Sequence, residues 1–265
     1  MKISMMSIVM SDKGYSPAEI VQTAADCRME GIDWVGEHNT TADVLKKLSD
    51  DAGLPVVAYT PLIGNPPWTQ DEFVERFKRA LDFGLTLEAP VMMIPICQLD
   101  RGSRELDRAK WIEALARVTP MAVQAGITLT FEAMGMYMAP IQSADESLEV
   151  LNAIPDMRLT FDTGNVETVE NPAVSYCKLA DKVVHAHLKD VYCASAPYGK
   201  GQWLPARNGK YYKQAEFGKG SSDLPTMWKT MKALGYQGYV NFETSTDEIP
   251  LPEFFKKLCA QMRDW

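Results

Sequence analysis

Short apolar runs of strand character alternate with amphipathic stretches of helical period along the whole chain. This alternation limits the folds open to it more than any single motif does. The strand-like runs are Lys2 to Met10, Trp34 to Glu37, Val56 to Thr60, Val91 to Ile96, Thr128 to Glu132, Arg158 to Asp162, Val183 to Leu188 and Tyr239 to Glu243. The spacing predicts helices over Ser16 to Glu30, Ala42 to Asp51, Asp71 to Phe83, Glu105 to Ala125, Ser143 to Ala153, Pro172 to Ala180, Leu224 to Leu234 and Leu251 to Arg263. Ser16-Pro17 and Ser143-Ala144-Asp145-Glu146 carry helix-start chemistry, and Gly31, Gly53, Gly126 and Gly235 stand where helix C-caps belong. Eight β/α units predict an α/β protein, a (β/α)8 TIM barrel occupying residues 1–265 as a single domain, with a doubly wound sheet as the alternative.

Composition fits that size class: 265 residues, 46% hydrophobic and 23% charged, suffice for one large core. A formal net charge of −8 gives no positive field to attract a phosphate backbone, so no nucleic-acid partner is expected. Met1 to Met6 lead directly into a first strand rather than a cleavable signal, and no apolar run is long enough to span a bilayer, so no membrane association is expected. Five cysteines without C-x-x-C spacing read as reduced thiols of a cytoplasmic protein, with Cys27, Cys177 and Cys259 as small core residues in helices. A homo-oligomer is compatible with all of this.

Val191 to Asp223 breaks the pattern. It is long, has no clear periodicity, and holds Tyr198, Trp203, Tyr211, Tyr212 and Phe217. Long irregular connections of this kind are functional lids when they are ordered, and this one follows the seventh strand, on the catalytic side of a barrel. It also concentrates Lys200, Arg207, Lys210, Lys213 and Lys219 against Glu216 alone, which suggests an anionic substrate contacted by Lys210 and Lys213.

Four consecutive strands, the fifth to the eighth, end in metal-capable side chains: Glu132, Asp162, His187 and Glu243. Strand C-termini converge on the axis of a barrel, so residues remote in sequence become neighbours there. Two glutamates, an aspartate and one histidine form an oxygen-rich site for a single divalent ion, with Mn²⁺ or Mg²⁺ favoured and Co²⁺ or Zn²⁺ admitted by the imidazole. Two residues before each ligand, on the same strand face, lie Thr130, Thr160, His185 and Asn241. All four are polar where a barrel interior is ordinarily apolar, and they are expected to hydrogen-bond to the ligands and orient them.

Thr130-Phe131-Glu132, Phe161-Asp162-Thr163-Gly164-Asn165, His185-Ala186-His187-Leu188-Lys189-Asp190, Phe217-Gly218-Lys219-Gly220 and Phe242-Glu243 together resemble the xylose-isomerase-like TIM barrel superfamily, the sugar phosphate isomerase and epimerase family that also includes the AP endonuclease family 2 type. The resemblance covers essentially the whole chain. It implies that Glu132, Asp162, His187 and Glu243 hold the metal and that Glu132 and Glu243 also act as catalytic acid and base on a small carbohydrate substrate. Proton removal next to a carbonyl and its return would give epimerisation or isomerisation; loss of a β-substituent would make the chain a lyase of the inosose-dehydratase or keto-glycoside type. A non-catalytic sugar-binding barrel is the reading outside enzymes.

The chain departs from the ketose 3-epimerase pattern at three positions: Asn165 replaces a histidine, Cys193 an arginine and Met138 an acidic residue. The resemblance therefore implies the metal but not ketohexose specificity. A three-metal endonuclease cluster would need more histidines than His38, His185 and His187. Further substrate contacts are expected from Glu37 and His38 after the second strand, with a helix cap or solvated pair as the alternative, from Trp68 and Gln98 in the loops after the third and fourth, with a packed loop from Pro61 to Trp68 as the alternative, and from Asn165. Lys189 is expected as a substrate contact or, with Asp190, in a supporting salt bridge.

Overall fold

Alternate residues of each strand face the barrel interior and the helices outside it. In β5, for instance, Phe131 is fully buried between the polar Thr130 and Glu132. The computed structural model describes residues 1–99, 102–135, 138–263 and 265. Its strands are β1 (Lys2–Met6), β2 (Ile32–Val35), β3 (Val56–Thr60), β4 (Val91–Pro95), β5 (Thr128–Glu132), β6 (Arg158–Asp162), β7 (Val183–Leu188), β8 (Val191–Ala194), β9 (Leu204–Pro205), β10 (Tyr211–Gln214) and β11 (Tyr239–Phe242). Strands β1 to β7 and β11 form a closed parallel barrel, sealed where β11 pairs with β1; β8, β10 and β9 form a separate antiparallel sheet. The helices are α1 (Ile8–Ser11), α2 (Pro17–Asp26), α3 (Ala42–Asp51), α4 (Gln70–Thr86), α5 (Arg104–Gln124), α6 (Ala144–Ala153), α7 (Thr163–Glu167), α8 (Pro172–Leu179), α9 (Leu224–Ala233) and α10 (Leu251–Arg263). The protein is thus a single (β/α)8 TIM barrel.

The outward faces of the strands pack on the helices through aromatic contacts. Tyr59 stacks on Phe83 of α4 with ring centroids 5.2 Å apart, and Phe161 meets Tyr176 of α8 edge-on at 5.3 Å. Ser16 and Ser143 form capping boxes with Glu19 and Glu146, as helix-start chemistry predicts. Among the described residues no helix is long and apolar enough to cross a membrane.

Several expected boundaries shift for physical reasons. The first strand ends at Met6, because the chain turns into α1 at Ser7, whose hydroxyl accepts the Val35 backbone N–H at 2.8 Å. The second begins at Ile32 rather than Trp34 and stops before Gly36, which has a φ of 76°. Gly31 is no C-cap: Arg28, with a φ of 54°, takes the left-handed position after α2. Gly31 is required by space instead, since a Cβ there would lie 2.3 Å from Val57 Cγ1. Cys27 and Cys259 are buried, but Cys177 is exposed and not a core residue.

The segment expected to be irregular carries the β8-β10-β9 sheet, with a small apolar cluster of Val191, Ala206 and Tyr212. Its anchor is Asp190. One carboxylate oxygen accepts the backbone N–H of Gly218 and Gly220, each at 2.9 Å, and the other accepts those of Val191 at 2.9 Å and Ser222 at 3.1 Å. A Cβ on Gly220 would fall 2.1 Å from that carboxylate, so Phe217-Gly218-Lys219-Gly220 is shaped around Asp190.

Candidate metal centre

The last inward positions of β5 and β6 are Glu132 and Asp162. His187 is the next-to-last residue of β7, and Glu243 lies one residue past β11. Barrel stagger brings them together: Asp162 is level with His187, His187 with Asn241, and Glu132 with Thr160. One ligand-type atom from each of Glu132, Asp162, His187 and Glu243 lies within 4.8 Å of every other. His187 Nδ1 sits 3.2 Å from Glu132 Oε1 and 3.7 Å from Glu243 Oε2. Asp162 accepts the Asn165 backbone N–H at 2.6 Å and so caps α7, while its Oδ2 is buried without a hydrogen-bond partner.

Three carboxylates this close repel one another. Burial, reinforced by Glu243 and Glu132, pushes the Asp162 carboxyl well above the usual carboxylate range. Glu243 moves the other way: burial opposes its charge, but the Lys189 ammonium and His187 hold it below the ordinary value. Lys189 is likewise raised against the cost of burial by Glu243, Asp162 and Glu132. His187 is raised, despite burial, by Asp33 and Glu132. The donors fit a divalent cation, being three hard oxygens and one imidazole with an unpartnered buried carboxylate oxygen among them.

Lys189 is placed by the segment that also supplies Asp162. Thr163 Oγ1 accepts the Lys189 N–H at 2.9 Å, and a Cβ on Gly164 would lie 2.8 Å from Lys189 Cγ, so only glycine leaves room for the stem. Its ammonium donates to Glu243 Oε1 and, at 3.4 Å, to Asn165 Oδ1. Asp190 is not its salt-bridge partner; it organises the insertion.

The polar layer beneath is buried throughout, but it bonds within itself and to Asp33 and Ser4 rather than to the ligands. Thr130 and Thr160 share a hydrogen bond of 2.8 Å. His185 Nε2 lies 3.1 Å from Asp33 Oδ2, Asn241 donates to the same oxygen at 2.6 Å, and Ser4 donates to Asn241 at 2.6 Å. Stagger contributes to the departure, because Thr160 is level with Glu132 and Asn241 with His187 on neighbouring strands. Asp33 and Ser4 escape a reading of strand ends, being mid-strand residues. The charge inside Ile32-Asp33-Trp34-Val35 was the available signal.

Other expected contacts separate. A cavity of about 490 Å³ beside the cluster is lined by Asn165, Lys189, Gln202, Tyr212, Lys213 and Gln214, among others. Lys210 lines a different cavity, with Glu167 and Cys193. The Lys213 ammonium donates to the Lys200 carbonyl at 2.9 Å and lies over the rings of Tyr192 and Trp203, while Arg207 pairs with Glu146 and Lys219 with Glu216 and Glu248. Trp68 is core rather than pocket wall: its indole N–H donates to Gly64 O at 3.1 Å and its rings pack on Phe73 and Trp111. Glu37 is exposed, His38 Nε2 meets Ser7 Oγ at 2.9 Å, and Gln98 is half-buried after β4.

An L-ribulose 3-epimerase from Methylomonas sp. is 23% identical over 243 residues, covering 88% of this chain and 77% of the relative. An inosose dehydratase from Clostridium beijerinckii is 22% identical over 254 residues, covering 86% and 82%. Among solved structures, the IOLI protein with a binding zinc atom superposes with a TM-score of 0.80 at 13% identity, covering 99% of this chain and 96% of that one. The family model described as xylose isomerase-like TIM barrel matches residues 14–265, and the chain belongs to that family.

Proposed function

We propose that this protein is a divalent-metal-dependent isomerase or epimerase of a small carbohydrate, with Glu132, Asp162, His187 and Glu243 holding the ion and the two glutamates handling the proton. The observation that carries this reading is the convergence of those four side chains within 4.8 Å. The donor set favours Mn²⁺ or Mg²⁺ and admits Co²⁺ or Zn²⁺, and the zinc of the structurally similar IOLI protein supports a divalent ion on this fold. When bound, the ion supplies positive charge that acidifies the carbon next to a substrate carbonyl.

Proton handling belongs to the chain. Lys189 favours the ionised form of Glu243, which suits that carboxylate to remove the proton, and Glu132, on the same imidazole nitrogen, returns one. Return to the same carbon gives an epimer, and to its neighbour an isomer. Asn165, Gln202 and Gln214 offer amide groups to substrate hydroxyls. Arg207 and Lys219 pair with carboxylates, Lys210 lines another cavity, and the Lys213 ammonium, although its side chain lines this one, is engaged by the Lys200 carbonyl and two rings, so the reading favours a neutral hydroxyl-rich substrate over an anionic one. Residues 191–223 serve as the lid that shields this chemistry from water. The epimerase relative supports this reading.

The inosose dehydratase relative supports a second one, in which the same proton removal is followed by loss of a β-hydroxyl. Keto-sugars, keto-inositols and hydroxypyruvate incubated with the Mn²⁺-loaded protein in deuterated water separate the two by NMR. Deuterium at a carbon next to the carbonyl, with an isomeric product, is expected; an unsaturated product selects the dehydratase. No exchange into any substrate leaves a non-catalytic barrel.

A further inference from the structure

A carboxylate inside a barrel with no access to water is costly unless polar groups surround it. Asp33, in the middle of β2, is fully buried. Its Oδ2 is the meeting point of Asn241 Nδ2 at 2.6 Å, His185 Nε2 at 3.1 Å and His187 Nε2 at 3.7 Å. Ser4 fixes Asn241 from β1, so three strands besides β2 contribute to the surroundings of one oxygen.

His187 stands between two groups of acids. Its Nδ1 faces Glu132 and Glu243, and its Nε2 faces Asp33. An imidazole that gives its Nδ1 lone pair to a cation is neutral and carries its remaining proton on Nε2. That proton needs an acceptor in a place water does not reach. Both His187 Nε2 and Asp33 Oδ1 are buried without a hydrogen-bond partner, and they belong to neighbouring side chains.

We propose that Asp33 is a positioning residue for the metal centre: its carboxylate accepts the His187 Nε2 proton, fixes that tautomer and turns Nδ1 toward Glu132, Asp162 and Glu243. Asn241, His185 and Ser4 hold the carboxylate in place for this task. The inference rests on the metal reading above, and it asks of Asp33 something that burial alone does not. Thr130 and Thr160 supply the contrast. They are equally buried in the same layer, but their hydrogen bond closes on itself and on the Met92 carbonyl.

The test measures the Mn²⁺ dissociation constant of the full chain by chelator competition for wild type, Asp33→Asn and Thr160→Val, with folding followed by circular dichroism. A long-range ¹⁵N spectrum of Zn²⁺-loaded wild type reports the His187 tautomer. Asp33→Asn should remain folded and bind Mn²⁺ about 10- to 100-fold more weakly. Thr160→Val should lose thermal stability but keep its Mn²⁺ affinity, and His187 should carry its proton on Nε2. Unchanged affinity in folded Asp33→Asn, an equal loss in Thr160→Val, or a proton on Nδ1 overturns the inference while leaving the metal centre standing. Wild type that takes up no Mn²⁺ overturns both. Should Asp33→Asn fail to fold, the wild-type spectrum decides alone.

Discussion

The barrel and the insertion that follows β7 are held by different physics. In the barrel, backbone register places each candidate ligand, with Asp162 level with His187 and His187 with Asn241, and aromatic packing on the helices holds the strands from outside. The insertion has a three-residue apolar cluster and one buried carboxylate, Asp190, that gathers four backbone N–H groups. Phe217 also packs on Phe242 and Trp265, and Gln214 donates to the Glu243 carbonyl, so the insertion is tied to the barrel at a few points rather than along a register. Separate lesions should reach them separately.

The largest effect belongs to the barrel. Glu132→Gln and Glu243→Gln should each lower turnover on the true substrate by on the order of 10²- to 10⁴-fold, because each removes a proton carrier from the site. Metal content measured on the same samples distinguishes lost chemistry from lost metal. A fully loaded variant turning over at a near-normal rate would sink the two-glutamate mechanism.

Next comes the anchor of the insertion. Asp190→Ala leaves four backbone donors without their acceptor, a loss on the order of 3–5 kcal/mol. Because those donors lie in or beside the insertion, hydrogen exchange and limited proteolysis should report opening of residues 191–223 with the barrel protected and metal still bound. KM should rise and kcat fall together as the cover loosens. Gly220→Ala should reproduce the lesion from the other side, since its Cβ would collide with the same carboxylate. Unfolding that spreads evenly through the barrel would show that the two regions are one cooperative unit.

The same division governs what was legible in the sequence. Barrel strands carry a period of two and helices their caps, so β3, β5, β6 and β7 are found residue for residue, and the four candidate ligands stand out because carboxylates and a histidine at the ends of apolar runs are conspicuous. Asp33 is not conspicuous, since its role depends on which strands become neighbours, and β2 meets β7 only across the closed barrel interior. The stagger that links Thr160 to Glu132 and Asn241 to His187 likewise has no trace in local pattern. In the insertion, pairing of Tyr211 to Gln214 with Val191 to Ala194 spans a long irregular stretch, and nothing local shows that the glycines after Phe217 close around Asp190. For Trp68 the sequence leaves pocket wall and packed loop both open, and only the tertiary contacts show an aromatic residue of a mouth-side loop packing downward into the core.

A third effect tests the electrostatics of the rigid part. Metal binding at the proposed centre would need His187 and Asp162 without protons, and both are held above their ordinary values, His187 by Asp33 and Glu132 against burial, Asp162 by burial and its neighbouring glutamates. Protons therefore compete with the ion over a range that begins above the usual histidine value. Mn²⁺ affinity should fall as pH is lowered, by about tenfold per unit for each proton released. Calorimetry in buffers of different ionisation enthalpy counts those protons. Binding indifferent to acid would mean that the ion is held elsewhere.

The smallest effect should come from the insertion's exposed charge. Lys210 is exposed and lines a cavity apart from the cluster, so Lys210→Ala should leave turnover within about twofold. Lys213→Ala should cost more, because its ammonium joins the Lys200 carbonyl to the faces of Tyr192 and Trp203, contacts worth roughly 0.5–1 kcal/mol each at exposed sites. That loss should appear as a looser insertion and weaken neutral and phosphorylated substrates alike. Were either substitution to penalise a sugar phosphate by more than about tenfold relative to its neutral parent, a step of roughly 1.4 kcal/mol, the insertion would be an anion trap. The neutral-substrate reading would then give way, while the four proposed ligands beneath it would be untouched.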